Sequence, residues 1–459
     1  MPDRLSPLDA SFLYMEESST PMHIGGVALF QVPESGFDAD RLMELVDARL
    51  AMVPRYRQRV REVPGHLAAP LWIDDEKFDL SYHVRRSALP RPGTTEQLHE
   101  LVARVLSRPL DRDRPLWEIY LVEGVEAARF AIVTKTHQAL VDGISAIEIG
   151  EVLFDNAPED TELRDGAWIP ERAPSDLRLV ADAVSELMQR PTALVDTARR
   201  GVMDIGRSVS RVGSAAAGAL KMAQTVTRTA PSSPLNVEIG ESRRFATTSA
   251  DLESFKQVRK VHGGDVNDVV LAVVTGGLRT WLQTRGEPIT SRSTVRALVP
   301  VSVNDDEGLD QVTSFIVDLP TGEGSPVVRL HQVGYAMRAN LETRRAVGAE
   351  RLAGLAGFAP PTLHALGARV ASGLSSRVFN IVITNVPGPQ EPRYLAGARL
   401  LEAYPVSPLA KGQALSLGVT SYDGTIYFGL YGDRAAMPDL DVLARCLDDA
   451  LVELVETTT

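Results

Sequence analysis

The sequence predicts an α/β protein made of two halves, and three observations support this prediction. Strand-like and helix-like segments alternate along most of the chain, which is typical of layered α/β domains. The length of 459 residues exceeds that of one typical domain. The composition also changes near the middle, where an acidic, proline-containing stretch at residues 155–176 precedes a basic stretch at residues 187–228. We therefore expect halves at residues 1–170 and 235–459, joined by a helical linker at residues 171–234.

In the first half, the spacing of apolar residues distinguishes strands from helices. The predicted strands are His23–Val32, Leu116–Val122 and Phe130–Thr136, and the predicted helices are Asp38–Ala51 and Leu98–Leu106. Residues 123–126 are expected to form the turn between the second and third of these strands.

The same criteria predict a second mixed set of elements in the second half. The predicted helices are Val266–Leu282, Val327–Thr343, Thr362–Leu374 and Leu440–Val455. The predicted strands are Val295–Val303, Thr313–Leu319, Val378–Thr384, Ala414–Tyr422 and Thr425–Tyr431. Asp423 and Gly424 separate the last two strands, and this dipeptide favours a tight β-hairpin.

Composition and charge exclude several classes of protein. The net charge of −12 argues against nucleic acid as a partner, because phosphate binding needs a basic surface. Cys446 is the only cysteine, so neither a disulfide framework nor a cysteine-rich metal site is expected. The N-terminus lacks the basic-then-apolar layout of a signal peptide, and no apolar stretch of about 18 residues occurs. We therefore expect a cytoplasmic protein without a transmembrane helix.

The segment from residue 136 to residue 143 is the strongest indication of chemistry. It nearly matches His-His-x-x-x-Asp-Gly, a pattern of enzymes that move an acyl group from a thioester to an alcohol or amine. His137, Asp142 and Gly143 fit the pattern, but Gln138 stands where the second histidine is expected. That histidine acts as general base, whereas glutamine cannot accept a proton near neutral pH. Loss of such a base costs about 10²–10⁴ in rate.

His137 is not expected to take over as the base, because neighbouring residues on an extended segment point to opposite sides. Other catalytic patterns are missing from the sequence. There is no Gly-x-Ser-x-Gly elbow, no Gly-x-Gly-x-x-Gly fingerprint and no phosphate-binding loop of the Gly-x-x-x-x-Gly-Lys type. The eight histidines show no spacing typical of metal ligands.

Further motifs extend the match over nearly the whole chain. They are Pro7–Leu13, Pro21–Gly25, Arg114–Glu118, Pro234–Asn236, Arg243–Ala246, Asn267–Ala272, Val299–Ser302 and Thr384–Pro389. In this order, the motifs resemble those of the bacterial wax ester synthase/diacylglycerol acyltransferase family.

This resemblance implies a fold like that of chloramphenicol acetyltransferase, with two similar α/β halves and a tunnel between them. Long-chain acyl-CoA would enter from one side, and diacylglycerol or a fatty alcohol from the other, to form triacylglycerol or a wax ester. Acyl-CoA is a co-substrate, and neither a cofactor nor a metal is expected. The resemblance places the catalytic base at residue 138, a supporting role at His137, and a structural role at Asp142 beside Gly143.

The resemblance also marks residues that lie away from this motif. Asn267, Asn385 and Ser302 are candidates for substrate binding, although the two amides are equally expected as turn and cap residues. Pro115 and Trp117 are expected to serve packing rather than chemistry.

Gln138 leaves three explanations open: an engineered change that silences the enzyme, a natural change in a relative that only binds acyl-CoA or lipid, or weak activity through positioning alone. We expect an impaired O-acyltransferase, and the alternative is an inactive binding protein on the same scaffold. A relative of peptide-synthetase condensation domains is a third candidate.

The basic stretch at residues 187–228 has small apolar residues at helical spacing. We expect a linking helix packed on the body of the protein, with a membrane-surface helix as the alternative. Peripheral contact with membranes or lipid droplets follows mainly from the family resemblance.

Overall fold

The computed structural model describes the larger part of the chain. The described residues are 3–34, 36–37, 39–64, 67–141, 152–158, 168–189, 229–304, 310–342 and 377–459. The helix predicted at Thr362–Leu374 lies outside the described residues, as do Asp142, Gly143 and nearly all of the basic stretch at 187–228.

Fourteen strands form in the described part of the chain. They are β1 (His23–Gln31), β2 (Gln58–Arg61), β3 (Leu71–Asp74), β4 (Val84–Ala88), β5 (Trp117–Val125), β6 (Arg129–His137), β7 (Arg243–Asp251), β8 (Val295–Asn304), β9 (Asp310–Leu319), β10 (Ile381–Pro387), β11 (Tyr394–Leu395), β12 (Ala398–Val406), β13 (Leu415–Tyr422) and β14 (Thr425–Asp433).

The described helices alternate with these strands. They are α1 (Pro7–Met15), α2 (Ala39–Leu50), α3 (Leu80–His83), α4 (Thr95–Ser107), α5 (Gln138–Val141), α6 (Asp176–Gln189), α7 (Leu252–His262), α8 (Val266–Thr284), α9 (Pro326–Glu342) and α10 (Leu440–Glu456). None of the helices in this part of the protein is both long and apolar enough to cross a membrane.

The first sheet has the strand order β11-β12-β1-β6-β5-β4. Its central strands β1 and β6 are antiparallel, and β1 buries Val27, Leu29 and Phe30 in the core. Gly25 permits the close approach of β6, because a Cβ there would lie 2.8 Å from the Thr134 carbonyl oxygen. Helices α2 and α4 bury their apolar faces in the same core.

Two strands of this sheet come from the far end of the chain. β12 pairs antiparallel with β1, and β11 pairs with β12. Both strands belong to residues 235–459, which the sequence assigns to the other half. The sequence division therefore differs from the division between the sheets, because backbone pairing with β1 decides where β12 lies.

The second sheet has the strand order β7-β14-β13-β10-β8-β9. The predicted hairpin between β13 and β14 is confirmed, and both turn residues are left-handed, with φ of 44° at Asp423 and 80° at Gly424. Helices α8 and α10 cover this sheet. Gly277 on α8 allows α10 to pack closely, because any residue with a Cβ at this position would overlap Leu447.

Most predicted elements are confirmed within a few residues, and two predictions were wrong. The turn expected at 123–126 lies at residues 126–128, because β5 continues to Val125 and Ala127 and Ala128 adopt positive φ. The strand expected from Val378 begins only at Ile381. Just before it, the fully buried Asn380 uses its side chain to accept a hydrogen bond from the Arg296 backbone.

The two halves are also joined through side chains. The exposed Lys411 contacts Glu17 at 2.7 Å, and the Arg243 guanidinium donates to the Ser19 carbonyl oxygen. The His99 Nε2 atom on α4 lies 3.0 Å from the Thr247 hydroxyl on β7. Each contact joins residues far apart in the sequence, so the interface depends on the complete fold.

His99 should make the protein sensitive to mild acid. Burial lowers the pKa of His99 to about 4, whereas the unfolded chain binds this proton below about pH 6.5. The contribution of neutral His99 to the free energy of unfolding is therefore fully present above about pH 6.5 and is lost as the pH falls towards about 4. Urea unfolding at about pH 7 and about pH 5 should show that His99→Gln reduces this loss by about 1–2 kcal/mol. If the unchanged protein and His99→Gln lost equal stability between about pH 7 and about pH 5, the acid sensitivity would not come from His99.

Candidate functional site

The motif lies where the central strand β6 ends and helix α5 begins. His137 is the last residue of β6 and pairs in register with His23, the first residue of β1. Three backbone N–H groups fix this junction: that of His137 donates to the Leu116 carbonyl oxygen at 3.0 Å, and that of Gln138 to the Met22 carbonyl oxygen at 2.9 Å. The third, from Ala139, donates to Nδ1 of His137 at 3.0 Å.

These bonds determine what His137 can do. Because Nδ1 accepts from a backbone N–H, the proton of the neutral imidazole lies on Nε2. Nε2 faces the Glu16 carboxylate at 3.9 Å, and the side chain is 1% exposed. Burial lowers the pKa of His137 to about 3 despite the opposing effect of Glu16. His137 is therefore neutral, and its one lone pair is already engaged, so it offers no free base.

Glu16 is the centre of a buried group that sequence reasoning missed. Its Oε2 atom accepts from Arg112 at 2.6 and 3.0 Å, and its Oε1 atom lies 3.4 Å from Nε2 of His23. Burial alone would raise the pKa of Glu16, but interactions with the two histidines and Arg112 outweigh burial and lower it to about 2. We call Glu16, His23, Arg112 and His137 the Glu16 cluster.

The Glu16 cluster includes the motif residue His137, and both of its histidines are buried. Burial also lowers the pKa of His23, so its ring is neutral at neutral pH. The only sequence signal for this cluster would have been the pairing of His23 with His137 across two strands. That pairing depends on sheet order, which apolar spacing does not reveal.

The Gln138 side chain is partly exposed. Its Oε1 atom is buried and has no hydrogen-bond partner in the part of the chain that the structure describes. An unsatisfied buried acceptor costs about 1–3 kcal/mol. The described residues hold other buried side-chain atoms without a partner, among them Gln413 Oε1 and His137 Nε2.

The other three predicted site residues lie in the second half of the chain. Asn385 on β10 donates through Nδ2 to Oδ1 of Asn267 on α8 at 2.9 Å. Ser302 lies on β8, opposite Val312 of β9. Among the described residues, the two asparagines bond to each other and not to Gln138. The structure thus joins two of the three residues and leaves their role in substrate binding a prediction.

Trp117 is enclosed by the first core. It is 0% exposed, its Nε1 donates to the Tyr56 carbonyl oxygen at 2.7 Å, and its ring stacks on His83 with 4.6 Å between centroids. These are packing contacts, and its neighbour Leu116 supplies the carbonyl that holds His137.

Comparison with solved structures defines the class of fold. The starter condensation domain of rhizomide synthetase RzmA, solved with C8-CoA and Leu-SNAC, superposes with a TM-score of 0.57 at 13% identity, covering 100% of this chain and 95% of that chain. At this identity the likeness concerns the fold alone. Wax ester synthase/diacylglycerol acyltransferase from Marinobacter aquaeolei VT8 superposes with a TM-score of 0.69 at 30% identity, covering 99% and 100% of the two chains. The fold is that of CoA-dependent acyltransferases.

Sequence comparison defines the family. The wax ester synthase/diacylglycerol acyltransferase catalytic domain matches residues 5–270, and the WS/DGAT C-terminal domain matches residues 310–455. The chain belongs to the wax ester synthase/diacylglycerol acyltransferase family.

Two relatives from Mycobacterium tuberculosis illustrate this membership. "Probable diacyglycerol O-acyltransferase tgs2" is 35% identical over 469 residues, covering 98% of each chain. "Probable diacyglycerol O-acyltransferase tgs3" is 45% identical over 260 residues, covering 56% of this chain and 96% of the relative.

Proposed function

We propose that this protein is an acyl-CoA-dependent O-acyltransferase that forms triacylglycerol from diacylglycerol, wax esters from fatty alcohols, or both. We further propose that Gln138 strongly reduces its turnover. Family membership and the names of the full-length relatives support the reaction class. The single observation that carries the reduced turnover is the amide side chain at the position of the general base.

The chemistry explains why this one position matters. The acceptor hydroxyl oxygen forms a bond to the thioester carbonyl carbon, the C–S bond breaks, and the hydroxyl proton leaves. A base normally takes that proton and returns one to the departing thiolate. The Gln138 amide cannot take it, and the lone pair of His137 is engaged by the backbone N–H of Ala139. Binding and orientation of the two substrates remain as the sources of rate.

Restoring the histidine tests this proposal. We expect Gln138→His to raise turnover about 10²-fold, the size of a general-base contribution. The assay follows CoA release from long-chain acyl-CoA with diacylglycerol or a fatty alcohol as acceptor. Gln31→His is a matched control, because Gln31 is exposed at the opposite end of β1. Failure of Gln138→His to transfer acyl groups to either acceptor would refute the proposal.

The second candidate is a protein that binds acyl-CoA or lipid without turnover, and the same Gln138 favours it. Tight acyl-CoA binding that persists with no CoA release after Gln138→His would support this candidate. Transfer only from carrier-protein thioesters would instead support a condensation-type reaction. Peripheral contact with a lipid surface remains a proposal that rests on the family resemblance.

A further inference from the structure

The segment that carries the motif is held at its far end as well as at its start. At the start, the backbone N–H of Gln138 donates to the Met22 carbonyl oxygen at 2.9 Å. At the far end, Val152 is buried, and the Phe154 ring packs edge-on against Phe30, with 5.6 Å between centroids. These contacts place residues 152–155 on the first core.

Arg49, in the last turn of α2, fixes the direction of this far end. Its Nη1 atom donates to the Val152 carbonyl oxygen at 2.9 Å, and its Nη2 atom donates to the Asp155 carboxylate. The side chains of Arg49 and Asp155 are 10% and 9% exposed, so water competes little for these bonds. Because a guanidinium is planar and rigid, its bonds to two acceptors determine the orientation of the segment as well as its distance from α2.

Asp155 is also bound by the second half of the chain. Its backbone N–H donates to the Tyr394 carbonyl oxygen at 2.8 Å, and the Tyr394 N–H donates to the Asp155 carbonyl oxygen at 2.9 Å. Tyr394 begins β11, which follows β10 and its Asn385 along the chain. Asp155 is therefore the residue at which α2, the motif segment and the second half of the chain meet.

Stability alone does not explain an ion pair in this place. A buried arginine–carboxylate pair is often no more stabilising than apolar side chains of similar volume, because removing both charges from water is costly. An apolar pair at residues 49 and 155 would fill similar space, but it would leave the Val152 carbonyl oxygen without its Arg49 donor. What the ion pair adds is a defined position for the segment.

Resting on the proposed function, we propose that Arg49 and Asp155 are positioning residues for acyl transfer. They hold the segment that begins at Gln138 in a set place relative to the second half, and so they set where the side chain of residue 138 lies relative to the reacting atoms. Misplacement of about 1 Å by a change far from the chemistry can cost about 10²-fold in rate. Loss of the pair therefore lowers kcat and leaves both KM values nearly unchanged.

Replacing the pair by apolar side chains tests this assignment. Arg49→Met/Asp155→Leu removes both charges together, so no unpaired buried charge remains. The double variant is made in the Gln138→His protein, and CoA release is followed over a range of acyl-CoA and acceptor concentrations. We expect kcat to fall about 10- to 100-fold and each KM to change by less than about 2-fold.

A second buried arginine supplies the matched control. Arg329 on α9, in the second half, also bonds a carboxylate, that of Glu453, and a carbonyl oxygen, that of Glu323 at 3.2 Å. Arg329→Met/Glu453→Leu is expected to change kcat by less than about 2-fold. If Arg49→Met/Asp155→Leu does not fold, Arg49→Lys is the second variant. It keeps the charge but not the planar fork, and it should lower kcat about 2- to 10-fold.

Hydrogen exchange gives a readout that needs no activity. In the protein with Gln138, we expect Arg49→Met/Asp155→Leu to speed exchange of the amide hydrogens at residues 137–139 about 10-fold, because the segment that they begin has lost its far anchor. Arg329→Met/Glu453→Leu should leave these exchange rates unchanged.

Three outcomes would overturn the assignment: an unchanged kcat, a rise in KM without a fall in kcat, or unchanged exchange at residues 137–139. A fall in kcat that Arg329→Met/Glu453→Leu reproduces would also overturn it, because that result reflects general loss of stability. Failure of the proposed function is separate, since that failure is the lack of CoA release by Gln138→His itself. The exchange rates then still decide whether the pair holds the motif segment.

Discussion

Replacement of Trp117 by alanine is expected to lower the free energy of unfolding by about 3–5 kcal/mol. The indole is 0% exposed and fills the space between Tyr56 and His83. Truncation removes this buried ring and the hydrogen bond from Nε1 to the Tyr56 carbonyl oxygen. The cost combines lost transfer free energy with the cavity that a packed core cannot close.

Urea unfolding monitored by circular dichroism measures this effect. Trp117→Phe is the matched comparison, because it keeps an aromatic ring beside His83 and loses the N–H donor. We expect it to cost about 1–3 kcal/mol, clearly less than the alanine variant. A free energy of unfolding unchanged in Trp117→Ala would show that the packing of this tryptophan does not stabilise the fold.

Arg243→Met is expected to be comparably destabilising, by about 3–5 kcal/mol. The Arg243 and Asp433 side chains are 1% and 3% exposed, with 3.6 Å between guanidinium and carboxylate. The guanidinium also donates to the carbonyl oxygens of Gly240 and Ser19, the latter in the other half. Methionine fills similar volume but leaves the Asp433 charge buried without its cation.

The partner substitution separates the charge from the packing. In the double variant Arg243→Met/Asp433→Asn, no unpaired charge remains, so part of the lost stability should return. The exposed neighbour supplies the control: Arg434→Met breaks only a surface contact to Glu100 at 3.8 Å and should change stability by less than about 0.5 kcal/mol. A double variant as unstable as the sum of its single variants would contradict the ion-pair explanation.

Local pattern was sufficient to predict most strands and helices. β1, β6 and α8 carry apolar residues at the spacing of their final structure, and their bounds agree with the prediction within a few residues. The motif also lies at a strand end, as its neighbours predict. Burial of one face determines these elements, and the spacing of apolar residues within each segment shows which face is buried.

Contacts between distant segments could not be predicted in this way. Asn267 and Asn385 are 118 residues apart, and nothing in either local pattern indicates that their amides meet. Glu16 follows the end of a helix and looks like an ordinary surface carboxylate in the sequence, yet its carboxylate lies 3.4 Å from Nε2 of His23 and 3.9 Å from Nε2 of His137, both buried. These contacts follow from strand order and helix packing, which depend on the whole chain.

The placement of β12 has a consequence for how the protein is made. β1 lies between β6 and β12, so one of its backbone edges stays unpaired until residues 398–406 have been synthesised. An unpaired apolar edge is a template for pairing with other chains. During translation the nascent first sheet is therefore open to aggregation until almost the entire polypeptide has emerged, and any product truncated before β12 keeps that open edge permanently.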